Sequence, residues 1–217
     1  MKLAHIQIQT NNIQKTIIFY TTVLGFSIVE NNSKSVSFQA GDSILEFVEN
    51  PQFNSIYHFA FNIPENKLDE AIVWCKNKLD LIFIEDQNVI TNFEKWNANA
   101  VYFYDNNGNL LEFIARHDLN NSQNENFSSK SILNISEIGI VNENPLNLGK
   151  ELVVKHNLEF FYKNDNSENF AAIGDDEGLL IMVKANRNWY PTQTPSENNK
   201  TKVRIDNNGA LIELDFQ

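Results

Sequence analysis

The chain repeats itself, and that constrains its fold more than any other feature. Phe19-Tyr20-Thr21-Thr22-Val23-Leu24-Gly25-Phe26-Ser27-Ile28-Val29-Glu30 reads as a helix end, a turn at Gly25 and a strand. The same layout returns 55 residues on (Phe19 to Trp74) in Trp74-Cys75-Lys76-Asn77-Lys78-Leu79-Asp80-Leu81-Ile82-Phe83-Ile84-Glu85. A weaker third version is Lys155-His156-Asn157-Leu158-Glu159-Phe160-Phe161-Tyr162. Self-similarity of this kind marks supersecondary units that bury their apolar faces only against one another.

Each version sits in a larger pattern. Alternating strands open the units at Leu3–Gln9, Tyr57–Ile63 and Ile135–Val141, and helices follow over 13–24, 65–79 and 145–156. Pro64 and Pro145 lie at two of the helix starts, where a missing N–H costs little. Two or three further strands close each unit, turning at Gly41-Asp42 and at Asn106-Asn107-Gly108-Asn109. The expected fold class is therefore α+β, with tandem βαβββ units and a third, degenerate one. Asp118–Lys130 is polar enough to read as a linker, which divides the chain into 1–117, a linker at 118–130, and 131–217. Pro191–Lys200 reads as a loop. Lys202–Ile205 and Ala210–Phe216 read as two last strands, the remnant of a fourth unit without its helix.

Side chains alternate across a strand, so parity assigns faces. In the first strand Ala4, Ile6 and Ile8 oppose Leu3, His5, Gln7 and Gln9. In the second opening strand Phe59, Phe61 and Ile63 oppose His58, Ala60 and Asn62. Glu46 sits opposite Leu45 and Phe47, and Glu112 opposite Leu111 and Phe113. The first two units thus each offer one imidazole and one carboxylate at matching positions. His5, Glu46, His58 and Glu112 form an N₂O₂ set suited to a divalent ion, with positions left open for water or substrate. The third unit has Glu137 in the histidine position and no acid in Leu179–Val183, where Met182 is the nearest counterpart of Glu46, so no ion is expected there.

Composition narrows the rest. Seventeen basic against 28 acidic residues give a net charge of −11 without a basic stripe, which disfavours nucleic acid. No apolar run reaches the roughly 18 residues a spanning helix needs, so no membrane partner is expected. Cys75 is the lone cysteine, so thiolate zinc sites and intrachain disulfides are excluded and a cytoplasmic location is expected.

Two motifs then resemble those of the vicinal oxygen chelate superfamily. Phe19-Tyr20-Thr21-Thr22-Val23-Leu24-Gly25-Phe26 is similar to its FY..vLGF. Asp105-Asn106-Asn107-Gly108-Asn109-Leu110-Leu111-Glu112-Phe113 is similar to its DPdGN.iEl, with Asn106 in place of proline. The superfamily includes glyoxalase I, bleomycin- and fosfomycin-resistance proteins, extradiol dioxygenases and methylmalonyl-CoA epimerase. The resemblance covers residues 1–117 and implies two βαβββ units curved into one mixed sheet around a metal cleft. It implies His5, Glu46, His58 and Glu112 as ligands to one ion (nickel, zinc, manganese, cobalt or iron), with Glu112, and secondarily Glu46, as catalytic base.

The His-Glu-His-Glu order favours a glyoxalase-like lyase or isomerase that chelates vicinal oxygens of a small substrate, lined by Trp96 and Asn97. One alternative is a ring-cleaving dioxygenase on His5, His58 and Glu112, with Tyr102 or Tyr104 nearby and His117 facing solvent. Another is a drug-binding module without turnover. Short relatives build the site between subunits, so a homodimer is a further expectation. Arg187-Asn188-Trp189-Tyr190-Pro191-Thr192 suits either an aromatic cluster or the capture of an anionic or planar group.

Overall fold

A computed structural model describes all of residues 1–217. The first unit comprises β1 (Lys2–Thr10), α1 (Ile13–Ile18, continued by a π-turn at Phe19–Val23), β2 (Ser27–Asn31), β3 (Ser35–Ala40) and β4 (Ser43–Glu49). The second comprises β5 (His58–Ile63), α2 (Leu68–Lys76), β6 (Thr91–Phe93), β7 (Ala98–Tyr104) and β8 (Leu110–Arg116). The third keeps β9 (Asn134–Val141), α3 (Pro145–His156), β10 (Phe170–Asp175) and β11 (Gly178–Val183). Its remaining strand is reduced to a single bridge between Phe160 and Ile173. The chain ends in a hairpin, β12 (Thr201–Asn207) and β13 (Ala210–Phe216), without a helix. No helix is long and apolar enough to cross a membrane.

Local chemistry explains most element limits. Asn12 caps α1 by accepting from Lys15 N–H, and Pro145 opens α3 at a position that needs no donor. α2 is shorter than its periodicity suggests because Pro64–Lys67 closes as a turn. The run at 81–85 forms only isolated bridges, from Leu81 to Phe103 and from Glu85 to Asn88, so the strand expected there is absent.

The units do not pair as neighbours in sequence. One sheet runs β13-β12-β1-β4-β3-β2 and the other β10-β11-β9-β5-β8-β7-β6. The first unit therefore joins the C-terminal hairpin, and the second joins the third across an antiparallel β5–β9 seam. This corrects the expectation that residues 1–117 close one cleft by themselves. The polar 118–130 segment is not a loose tether either. It lies back on α2, where Glu70 accepts from Phe127 N–H at 2.8 Å and Phe127 packs edge-on against Trp74.

Parity holds within both sheets except at bulges, which interrupt β1, the β2–β3 pair and β9, where Ile135 shares the core side with Ile138 and Ile140. A bulge between Leu3 and His5 turns Leu3 to the core side, beside Ile6 and Ile8. One apolar core joins these residues to Phe59, Phe61, Phe113 and Ile138 from the other sheet. The two family-like motifs meet inside it: Tyr20 Oη donates to Asp105 Oδ2 at 2.8 Å. Asp105 Oδ1 also accepts from the N–H groups of Asn107 and Asn109, which fixes the turn leading into β8.

Gly41 ties the sheets together. Its φ of +59° lies in the left-handed region, and a Cβ there would stand 1.9 Å from the carbonyl oxygen of Leu133. Asp42 N–H donates to that carbonyl at 2.7 Å, and Ser43 Oγ accepts from Ile135 N–H at 3.0 Å. Gly41→Ala should cost about 3 kcal/mol or more, because backbone must move. Gly209→Ala, also at positive φ but with nothing within 4 Å, should cost about 1 kcal/mol. Urea denaturation midpoints of both variants check the difference.

Candidate functional site

The site begins with the parallel β5–β8 register. Asn109 Oδ1 accepts from Tyr57 N–H at 2.8 Å, and Leu110 N–H donates to Tyr57 O at 2.9 Å. With Ala60 thereby set opposite Glu112, the His58 imidazole and the Glu112 carboxylate share one face of the sheet, Nε2 to Oε2 3.8 Å apart. The antiparallel seam places Ala60 opposite Glu137 on the other side. His58, Glu112 and Glu137 are all buried, and each offers a ligand atom within 4.8 Å of the others. No other group of three such residues occurs in the structure.

The environment of each group sets its chemistry. His58 Nδ1 lies 3.1 Å from Leu110 O, so the proton belongs on Nδ1 and the Nε2 lone pair faces the carboxylates. Burial lowers the His58 pKa to about 4. Burial also raises both carboxyls, Glu112 furthest because the Glu137 charge adds to it, while Arg116 opposes the rise. Arg116 is fully buried. It ion-pairs with Glu137, donates to Ser136 Oγ at 3.1 Å, and reaches Asp176 at 3.4 Å. Glu112 Oε1 is buried without a hydrogen-bond partner. An unsatisfied buried carboxylate oxygen is costly, and a cation ligated there would satisfy it. The donor set therefore fits a divalent ion.

These three residues form the floor of a cavity of about 530 Å³, within the usual size of a small-molecule site. Tyr102, Ile181 and Trp189 surround the floor, and Phe93, Trp96, Phe170, Arg187 and Tyr190 form its walls and mouth. The Trp189 ring lies on Gly139, where a Cβ would come within 2.5 Å of it, and sits 5.1 Å from the His58 ring.

The four-residue set read from the repeats is therefore split. His58 and Glu112 come together as expected. His5 and Glu46 lie on the other sheet, half-buried, with Nε2 3.1 Å from Oε2 and Gln7 donating to Glu46 at 2.9 Å. They pair with each other but join no third ligand. The partner of the His58–Glu112 pair is Glu137, although no ion was expected in its unit. Parity did mark it: Glu137, Gly139 and Val141 oppose Ile138 and Ile140, as His58 opposes Phe59. Met182 was the wrong counterpart of Glu46. Leu179 pairs with Glu137 as Ile44 pairs with His5, so Ile181, two residues on, holds the acid position, while Met182 faces the core.

Trp96 lines the cavity, but Asn97 does not; its backbone is left-handed and its side chain donates to Asp118. Tyr102 lines the cavity, whereas Tyr104 is exposed outside it. His117 is half-buried beside Asn99, 2.9 Å from its Oδ1, rather than free in solvent. Arg116 went unrecognised because a buried cation closing a strand has no local signature.

A model of the Glyoxalase/Bleomycin resistance protein/Dioxygenase superfamily matches residues 2–113, more than half of the 217 residues. The chain belongs to that superfamily. Similar proteins include Metallothiol transferase FosB of Staphylococcus epidermidis, 28% identical over 115 residues, which span 50% of this chain and 78% of that one. The same enzyme of Staphylococcus haemolyticus is similar to the same extent. Among solved structures, a Bacillus subtilis protein with a provisional dioxygenase name superposes over 84% of this chain and 63% of its own. Its TM-score is 0.60 at 17% identity, a likeness of fold that reaches well beyond the half matched by the superfamily model.

In metal-free protein the His58 ring should titrate near pH 4. The sign follows from the lowered value: the neutral ring's contribution to stability is full above the unfolded value near 6.5 and is lost as pH falls through 4. That contribution is roughly 3 kcal/mol. Proton NMR of the ring, assigned with His58→Gln, checks it; an ordinary value would mean that water reaches the imidazole.

Proposed function

We propose that the chain is a divalent-metal-dependent lyase or isomerase acting on a small oxygenated substrate in the cleft between its second and third units. The observation that carries this is the His58, Glu112 and Glu137 donor set on the cavity floor, with one Glu112 oxygen unpartnered. One imidazole and two carboxylates are a harder set than the expected N₂O₂, which favours manganese or iron(II) over nickel or zinc. When bound, the ion would polarise two adjacent substrate oxygens and stabilise negative charge on them.

The chain's own groups supply the rest. His58 holds its proton on Nδ1 and so presents Nε2 as a ligand. Arg116 opposes the burial that would neutralise Glu137 and fixes its direction. Glu112, whose carboxylate faces the His58 imidazole with one oxygen unpartnered, is the group placed to take a proton from carbon and return it to a neighbouring atom. Tyr102, buried beside Glu112, helps hold that carboxyl in place. The aromatic walls limit water around the reacting atoms. His5 and Glu46 have no part in this chemistry.

Arg116 also favours a second possibility. Its guanidinium already gives Glu137 and Asp176 a buried cation, so the same cavity can hold a ligand with a proton, rather than an ion, on Glu112.

Titration of purified protein with manganese(II) and iron(II) separates the two. One ion should bind per chain, with Glu112→Gln weakening it by about 100-fold and His5→Ala leaving it unchanged. Equal binding by the parent and Glu112→Gln would overturn the metal assignment. With the metal-loaded protein, turnover of hemithioacetals of cellular thiols supports the lyase, whereas oxygen uptake with catechol would replace it by a dioxygenase.

A further inference from the structure

The more exposed part of the cavity lining has a chemistry of its own. Phe93 and Trp96 stack with ring centroids 5.7 Å apart, and Tyr190 meets Phe93 edge-on at 6.3 Å. Phe93, Trp96 and Phe170 are half-buried and Tyr190 is exposed, so their rings border open space rather than fill a core. Arg187 stands among them with its guanidinium 4.9 Å from the Phe170 ring centre.

Of the chain's three arginines, Arg116 and Arg204 are ion-paired, and only Arg187 has no carboxylate partner. An arginine left without a counter-ion beside a cavity, in a chain of net charge −11, is a selective feature for an anion. The other cation at the mouth, Lys95, already pairs with Asp165. Flat rings favour a flat ligand, because stacking rewards a planar partner and adds to the area removed from water.

We propose that the cleft takes a small aromatic carboxylate, with its ring against the aromatic wall formed by Phe93, Trp96 and Tyr190 and its carboxylate on Arg187. This deepens the proposed function, since it names what the substrate carries besides the chelating oxygens. It also assigns the stretch after β11 to recognition. That segment lies outside the half of the chain matched by the superfamily model, so the anion preference belongs to this chain's own C-terminal half.

The test is run on metal-free protein with EDTA present, so that its failure is distinct from failure of the metal assignment. 2-Naphthoate and its neutral isostere 2-naphthamide are titrated by tryptophan fluorescence and calorimetry, with cyclohexanecarboxylate as the non-planar anion. Naphthoate should bind about tenfold or more tightly than either comparator, as expected for one charge-assisted pair combined with stacking. Arg187→Gln, at an exposed position, should abolish the preference for naphthoate over naphthamide while leaving the circular dichroism spectrum unchanged. Arg187→Lys should keep part of it. Equal affinity for acid and amide in the parent, or a preference that survives Arg187→Gln, would overturn the proposal. Equal binding of cyclohexanecarboxylate and naphthoate would overturn its aromatic part.

Discussion

The antiparallel seam between β5 and β9 is the contact on which the rest of the molecule depends. The parallel β5–β8 register alone yields one imidazole and one carboxylate, too few ligands for a stable ion. The seam supplies Glu137 and brings in β11 behind it, together with the wall from Arg187 to Tyr190. It also gives β5 a hydrogen-bonded neighbour on each side, so that the strand carrying His58 is held rigidly at the centre of its sheet. Arg116 is its electrostatic counterpart, a buried cation from the second unit balancing a buried acid from the third.

Much of this is legible in the sequence because it is local. The 3.6- and 2-residue periodicities locate the helices and most of the strands. Asp105 and Asn109 announce a turn that the structure closes with their own side chains, and that turn carries Glu112 into register with His58. The final hairpin without a helix is present as the sequence suggests. Tyr20, prominent in the first motif, proves to be the hydrogen-bond partner of Asp105 in the second. That link explains why both motifs occur in the same chain although their units lie in different sheets.

Unit pairing is not legible, because it is a choice among nearly equivalent partners. β1 and β5 share parity and a face carrying an imidazole, so either could receive a strand from another unit. The contacts that decide are scattered: Val203 and Ile205 opposite β1, Gly41 and Ser43 against the start of β9, and Phe127 fastening the connecting segment to α2. None leaves a periodic trace. The grouping of the candidate residues is not legible for the same reason. Parity reports correctly that His5, Glu46, His58, Glu112 and Glu137 all lie on polar faces, but not which faces look into the same cleft. The His5–Glu46 pair shows the result when the facing unit is only a hairpin: two ligand-type residues on an open sheet with nothing to complete them.

The central claim is that the ligands come from the second and third units and not from the first two. Diffraction at the manganese absorption edge, from crystals grown with manganese(II), examines it directly. The account predicts one anomalous peak among His58, Glu112 and Glu137 and none beside His5 and Glu46. A peak at His5 and Glu46 alone, or an empty floor with Glu137 still paired to Arg116 at saturating metal, would contradict it.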